Sequence, residues 1–299
     1  MSLETQAPHW AWYYIALYFF IAGTAAGAYF IGSMEELFGG KKQREISRAA
    51  YYITFPLLLL VPIPLIADLG QPGRFWYLFY YVNDGVPYIN LQSPMSVGSW
   101  GLLVFSGCAL LSFLDNLVAE KRIKFAPFAH LYSHIPRKIY ALFGTITGLF
   151  IAGYTGVLLN VTALPLWAAT SPLLGPLFIV SGASTGAAAI ALFMVWRKTD
   201  TNYAFKKLER FDRVIMMAEL LMITGIFVLA GKYAAPLFSL PFLFLFWGGV
   251  VVAGILVPLW LTRNARRSGA DSGPVITASI LALMGGVLLR ICLLQAGQM

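Results

Sequence analysis

Tyrosine, serine, aspartate and arginine side chains recur at one common depth in the first half of the chain, near the ends of its apolar stretches. They are Tyr14, Tyr18, Asp68, Arg74, Ser96 and Tyr154. Phenolic and hydroxyl groups donate hydrogen bonds, and a carboxyl group passes protons. Set among aromatic walls, they suit a quinone, whose ring stacks on aromatics and whose two carbonyls need donors and a proton source. We predict a quinone pocket here, with Tyr154 and Asp68 as catalytic residues and the other four as contacts.

Each of these residues also has a structural interpretation. The three tyrosines fit the belts of Tyr and Trp that line membrane interfaces. Asp68 and Arg74 fit an ion pair that closes a loop, with Gly70 and Gly73 permitting its turns. Such a pair would still shape the wall of a pocket.

Three carboxyl groups nearer the opposite ends of the apolar stretches are candidates for a proton route. Glu35 and Asp115 fall near helix ends, where solvated carboxylates are ordinary. Glu219 lies about six residues, or roughly 9 Å, inside its predicted helix. A charge at that depth is costly unless it is paired or functional, and a hydrogen-bonded structural carboxyl explains Glu219 as well. Hydroxyls such as Ser99 and Thr145 would extend the route, but hydroxyls in a helix do not by themselves make a connected path.

The chain offers no ligand set for a redox centre of its own. Its two cysteines, Cys108 and Cys292, fall inside apolar stretches and are too few for a four-thiolate iron–sulfur cluster. Its three histidines, His9, His130 and His134, fall in the N-terminal tail or a long polar loop, whereas haem ligation requires them on facing membrane helices. We expect no intrinsic haem, iron–sulfur cluster or metal, so electrons would enter from a partner.

Composition indicates that these residues are positioned by membrane helices. Of 299 residues, 59% are hydrophobic and 11% are charged, against roughly 25% charged in soluble proteins. A spanning helix needs about 20 apolar residues. Eight segments qualify, approximately 11–34, 49–67, 94–115, 139–160, 171–196, 213–231, 239–261 and 274–296. We predict an all-α integral membrane protein with eight transmembrane helices.

The basic residues predict its orientation. All but three of the 21 Lys and Arg residues fall in the loops after the first, third, fifth and seventh predicted helices. Basic loops stay in the cytoplasm, so both termini should lie on the outer side. The net charge of +8 therefore reflects topology, and we expect membrane lipid and no nucleic acid as a partner.

The helices divide naturally into two groups of four, residues 1–165 and 166–299. The first helix of each group carries small residues four apart, Gly23 with Gly27 and Gly182 with Gly186, which allow backbones to approach closely. Duplication of a four-helix bundle would explain the shared pattern. Independent occurrence would explain it as well, because faces of small residues are common in membrane helices.

Several motifs follow one another in a specific order. They are Phe20-Ile-Ala-Gly-Thr-Ala-Ala-Gly27, Asp68-Leu-Gly-Gln-Pro-Gly-Arg-Phe75, Ser93-Pro-Met-Ser-Val-Gly-Ser-Trp-Gly101, Tyr154-Thr-Gly-Val-Leu-Leu-Asn160, Ala163-Leu-Pro-Leu-Trp167 and Ser181-Gly-Ala-Ser-Thr-Gly186. In these motifs the chain resembles the NrfD / polysulfide reductase membrane-subunit family. The resemblance covers most of the first 190 or so residues, and the last three helices match in layout only.

That resemblance implies a subunit of the cell inner membrane that binds menaquinone or ubiquinone near the outer face. It would exchange electrons with a ferredoxin-like iron–sulfur subunit docked outside, which in turn serves a molybdopterin or multihaem catalytic subunit. Without these partners the chain would not be catalytic. The quinone-contacting tyrosine of the family corresponds to Tyr154. Ile15 and Tyr18 stand where other members have a polar residue and a histidine.

Two other functions stay open on the sequence. A secondary transporter would show broken helices near the bilayer midplane at matching positions of both halves. Three prolines in the second predicted helix, Pro56, Pro62 and Pro64, lack a close equivalent in the sixth. A purely structural anchor, which tethers a soluble enzyme without binding quinone, is the second alternative.

Overall fold

The computed structural model describes residues 12–39, 44–83, 86–122, 134–162, 164–198, 202–268 and 272–299. Its helices are α1 (Trp12–Phe38), α2 (Arg44–Leu60), α3 (Pro62–Ala67), α4 (Pro94–Ala119), α5 (His134–Asn160), α6 (Pro165–Ala169), α7 (Leu174–Trp196), α8 (Asn202–Ala230), α9 (Val257–Ser268) and α10 (Ser272–Gly297). Turns of 3₁₀ helix occupy Pro72–Leu78 and Gly231–Phe238, and Leu243–Leu256 forms a π-helix that continues into α9. Strands β1 (Tyr81–Asn83) and β2 (Val86–Tyr88) form an antiparallel hairpin between α3 and α4.

Eight helices within the described residues are long and apolar enough to cross a membrane, which confirms the predicted fold class. They are α1, α2 with α3, α4, α5, α7, α8 with its 3₁₀ extension, the π-helix with α9, and α10. Several run further than apolar composition predicts. The sixth begins at Asn202 instead of 213, because its charged first turns are helical but not apolar. Orientation in the membrane stays a prediction. The end of the molecule that holds Asp68 is called the outer end below, and the end that holds Arg137 the inner end.

The second span is broken at Val61. Pro56 lies inside α2, and Pro62 opens α3. Proline lacks the N–H that would continue the helical ladder, and its ring clashes with the preceding turn. Asp68 caps the end of α3, and its backbone N–H bonds to the carbonyl of Pro64 at 3.1 Å. This short helix therefore positions Asp68 at the outer end.

The two small-residue faces predicted from the sequence pack against each other. A Cβ atom at Gly182 of α7 would lie 2.7 Å from the carbonyl oxygen of Gly23 on α1, so only glycine permits this approach. Across the same seam Thr24 Oγ1 donates to Thr185 Oγ1 at 3.0 Å. The α1–α7 seam joins the two halves of the chain.

The remaining spans group around this seam. In the first half α1 contacts α2 and α5, and α4 contacts the same two helices. In the second half α7 contacts α8 and α10, and the π-helix contacts the same two helices. The contact pattern is repeated in both halves, and division into two four-helix bundles stays a prediction.

Candidate functional site

A cavity opens at the outer end between α1, α3, α4 and α5. Its enclosed part has a volume of about 110 Å³, and the space including open solvent at its mouth is about 700 Å³. Most of its walls are apolar, and its polar side chains are Tyr18, Asp68, Ser99 and Tyr154. The full lining is Ile15, Tyr18, Phe19, Leu65, Asp68, Leu69, Leu78, Met95, Gly98, Ser99, Leu102, Tyr154 and Leu158. Apolar walls with a few convergent polar groups are typical of a small-molecule site.

Tyr154 projects from α5 onto the first turn of α4. Its hydroxyl donates to the carbonyl oxygen of Pro94 at 2.5 Å. Gly98 makes room for the ring, because a Cβ atom there would lie 2.5 Å from the Tyr154 Cε1 atom. The ring of Phe150 packs beside it, with ring centroids 5.7 Å apart. These contacts fix the ring at the cavity wall with its hydroxyl near the top of α4.

Tyr18 reaches the same cavity from α1. It is 5% exposed, and its ring packs on Phe19 with centroids 5.4 Å apart. Within the described residues no hydrogen bond occupies its hydroxyl. The phenolic groups of Tyr18 and Tyr154 lie close enough to interact electrostatically. The cavity therefore holds two phenols, one bonded to the backbone and one free to bond a ligand.

Asp68 lies at the mouth of the cavity, just beyond the end of α3. Partial burial raises the pKa of its carboxyl group above the ordinary value for aspartate. The ion pair between Asp68 and Arg74 that the sequence suggests is not among the salt bridges of the described residues, and Arg74 lies exposed on the Pro72–Leu78 turn. Without that cation, the carboxyl group keeps a raised affinity for a proton.

The structure brings Tyr18, Asp68 and Tyr154 together and leaves the other three predicted contacts outside the lining. Tyr14 packs on Tyr13, with centroids 4.4 Å apart, and Arg74 is exposed. Ser96 is buried in the first turn of α4, where its N–H bonds to the N-cap Ser93 Oγ at 3.5 Å. That these residues bind quinone stays a prediction.

Sequence reasoning missed part of the lining. Ser99, which the sequence placed only in a possible proton route, lies on the cavity wall and donates to the Met95 carbonyl at 2.9 Å. It lies one turn beyond Ser96, so only the rotation of α4 decides between the two. The close contact at Gly98 could have been predicted, since a glycine in a membrane helix often marks a place where a large ring packs closely.

The three residues of the predicted proton route do not come together. Glu35 pairs with Lys207 Nζ at 2.6 Å. Asp115 forms an ion pair with Arg137, with Oδ2 2.9 Å from Nε, and both pairs lie at the inner end. Glu219 lies apart from them on α8, buried in the second half of the chain. The first two carboxylates are therefore held by cations of their own.

Metal-binding groups of three or more His, Cys, Asp or Glu side chains are not found in the described part of the chain. Cys108 is half-buried and Cys292 is buried, and both are free thiols.

Comparison with known proteins extends the motif resemblance to the whole chain. The family model described as Polysulphide reductase, NrfD, matches residues 3–299, including the last three helices. The chain is 25% identical to Protein NrfD of Escherichia coli, over 99% of the chain and 98% of that protein. It is 27% identical to the Protein NrfD homolog of Haemophilus influenzae, over 98% of the chain and 96% of that protein. A shorter match, 27% identical over 40% of the chain and 24% of the relative, is to a selenate reductase subunit of Mesobacillus selenatarsenatis.

Proposed function

Because the chain belongs to the NrfD family, we propose that it is the quinone-binding membrane subunit of a respiratory oxidoreductase. It would pass electrons between the membrane quinone pool and an iron–sulfur subunit docked at the outer end. A catalytic subunit, bound in turn to the iron–sulfur subunit, would complete the complex. The basic loops favour the cytoplasmic membrane of the cell, with both termini outside.

The observation that carries the proposal is the convergence of Tyr18, Asp68 and Tyr154 on one largely apolar cavity. Each comes from a different span or span end, and all three line the same cavity at the outer end. A quinone ring needs apolar walls, a hydrogen-bond donor near each carbonyl and a proton exchange partner. The cavity offers these features in a single place.

The protein groups have distinct proposed roles. The Tyr18 hydroxyl, which has no described partner, would donate to one carbonyl. The Tyr154 hydroxyl would donate to the other when it leaves the Pro94 carbonyl oxygen. Asp68, at the mouth and with a raised pKa, would exchange protons between the cavity and the outer water. A bound quinone supplies the two-electron, two-proton carrier chemistry, and these residues supply hydrogen bonds and protons.

The iron–sulfur partner would dock on the outer surface beside the cavity. The turn at Pro72–Leu78 and the β1–β2 hairpin project there, and Trp100 Nε1 ties the turn to α4 by donating to the Phe79 carbonyl at 2.9 Å. Trp76 stacks on Tyr77, with ring centroids 3.9 Å apart. An ordered aromatic surface above a cavity fits a partner that must bring a redox centre close to it.

The test is to purify the complex from native membranes, extract it for quinone, and measure quinone-linked electron transfer. We expect bound quinone, and a Tyr154→Phe complex that assembles but transfers electrons slowly. A complex that is active without quinone, and unaffected by this substitution, would favour a structural anchor instead. Solute flux through the chain alone in liposomes would favour a transporter.

A further inference from the structure

The second half of the chain buries a group of ionisable side chains in the membrane. Arg290 of α10 is 0% exposed and Glu219 of α8 is 5% exposed. Asp212 lies seven residues before Glu219 in the sequence, two turns nearer the inner end on the same helix face. Such residues are costly in a membrane and mark functional positions by default. The proposed quinone site uses none of them.

Two serines of α7 lie beside these groups, one turn apart. Ser184 Oγ donates to Asp212 Oδ1 at 3.1 Å. One turn further out, Ser181 Oγ accepts from Arg290 Nη1 at 3.2 Å, and the Glu219 carboxyl lies close to both Ser181 and Arg290. Since α7 and α8 are antiparallel, Asp212 with Ser184 forms the inner rung and Glu219 with Ser181 the outer rung. These five residues are called the buried ladder below.

The charges of the buried ladder do not balance if every group is ionised. It contains two carboxyl groups and one guanidinium, and arginine keeps its proton in proteins. The electrostatic neighbours of Asp212 are Glu219 and Glu209, both acidic, while Arg290 is the cation beside Glu219. An unbalanced buried charge is strongly unfavourable. The ladder is neutral only when one of its two carboxyl groups is protonated.

A narrow cavity leads from the inner end to the ladder. It lies between α7, α8, α9 and α10, and it has room for a water molecule. Asp212 forms part of its wall, together with Glu209, Thr262 and Ser279. Water in this cavity can therefore deliver a proton to Asp212 without crossing the apolar core.

The ladder stops at a plug of aromatic rings. The Arg290 guanidinium lies 5.4 Å from the ring centroid of Phe178, which packs edge-on against Phe19 at 5.8 Å. Phe19 in turn lines the outer cavity. The Nε and Nη2 atoms of Arg290 are buried without a hydrogen-bond partner in the described structure. The guanidinium therefore has unused donors at the outer end of the buried ladder.

We propose that the buried ladder is a proton entry path from the inner side that holds one exchangeable proton inside the membrane. The proton passes from water in the cavity to the Asp212 carboxylate and then to the Glu219 carboxylate. The Ser184 and Ser181 hydroxyls each release one proton and gain another, so no charge is left on them. The proposal goes beyond quinone binding and does not depend on it.

Infrared difference spectroscopy of the full chain in lipid nanodiscs tests the shared proton. At neutral pH we expect one carbonyl stretch from a protonated buried carboxyl group that disappears in both Asp212→Asn and Glu219→Gln. Either change leaves a single carboxylate opposite Arg290. Arg290→Gln should strengthen the band, because neither carboxylate is then balanced. As the control, Glu120→Gln, which removes the partner of Arg122 and Arg197, should leave the band unchanged.

The path itself is tested by the rate at which this band shifts after transfer to D₂O. Ala191 lines the cavity, so Ala191→Phe should slow the shift, whereas Ala168→Phe on the exposed side of α6 should not. Ser184→Ala keeps every charge of the ladder and should slow it about 100-fold. A band that survives in both carboxyl variants overturns the shared proton. If the band shifts as fast in Ala191→Phe and in Ser184→Ala as in the wild type, the proposed path is wrong. Both results leave quinone binding untouched.

Discussion

The outer cavity and the buried ladder hold similar side chains under opposite conditions. At the outer cavity Asp68 lies at the end of a short helix beside water, so its charge needs no partner. In the ladder Glu219 and Arg290 are buried and Asp212 borders only a narrow cavity, so the charges must balance one another. Direct contact with water lets Asp68 exchange protons at once. A buried carboxyl needs a path, and the ladder provides hydroxyls and a cavity for it.

The two regions share α1. Its residues Tyr18 and Phe19 line the outer cavity, and Gly23, about one turn further in, lies against Arg290. The α1–α7 seam therefore positions both regions, although only the first contacts the proposed quinone.

Breaking the seam should have the largest effect, because it disturbs both regions at once. In Gly182→Leu the new side chain must displace the backbone of α1, at a cost of about 3 kcal/mol or more. We expect little folded protein after extraction and a clearly lower melting temperature. Gly107→Leu is the matched control, since no atom lies within 4 Å of a Cβ at Gly107. Equal melting temperatures for the two variants would contradict the role of the seam.

Removing one phenolic donor should disable the outer cavity alone. Tyr154→Phe keeps the ring against Gly98 but loses the hydroxyl, so quinone-linked electron transfer by the complex should fall about 100-fold. The ladder's carboxyl band should be unchanged. Tyr13→Phe, at an exposed position of α1 outside the cavity lining, should retain full activity. A normal rate in Tyr154→Phe would remove this tyrosine from the site.

Asp68→Asn should change the pH dependence more than the maximal rate. In quinol oxidation the ionised carboxylate accepts the proton, so the wild-type rate should rise with pH through the pKa of Asp68. Because partial burial raises the pKa of Asp68, the increase in rate should occur at a higher pH than for an ordinary aspartate. The Asn variant should be about tenfold slower where the wild type is ionised, and should lack this rise. The measurement is the electron-transfer rate as a function of pH, with Glu120→Gln as the control. If the pH profile of Asp68→Asn matched that of the wild type, another group would accept the proton.

The smallest effect is expected at the outer surface. Trp100→Phe removes the bond to the Phe79 carbonyl, worth about 1 kcal/mol, without touching the cavity. Amide hydrogen exchange should speed up in residues 72–80, while quinone content stays the same. Trp196→Phe, at an exposed position of the inner end, is the control. Unchanged exchange would mean that other contacts hold the turn.

Much of the architecture could be predicted from composition alone. Eight apolar stretches of sufficient length indicate eight spans, because lipid requires each span to satisfy its own backbone. Helix ends were less predictable, as at Asn202, because a helix continues into water where apolar composition stops. The β1–β2 hairpin lies in a loop whose sequence gives no strong strand pattern.

The site divides in the same way. Residue type and depth pointed to Tyr18, Asp68 and Tyr154, since polar groups near membrane ends are few and their chemistry is specific. Rotation about a helix axis was not accessible, so Ser96 was chosen where Ser99 lines the cavity. Nor did sequence distance reveal that Asp212, Ser184 and Arg290 meet.

By itself, then, the sequence determined that the protein lies in a membrane, how many spans it has and where along each span its polar residues fall. Each of these follows from local composition. Tertiary structure alone decided which polar residues face one another. That choice depends on close packing between distant segments, such as the approach of α1 and α7 through their glycines.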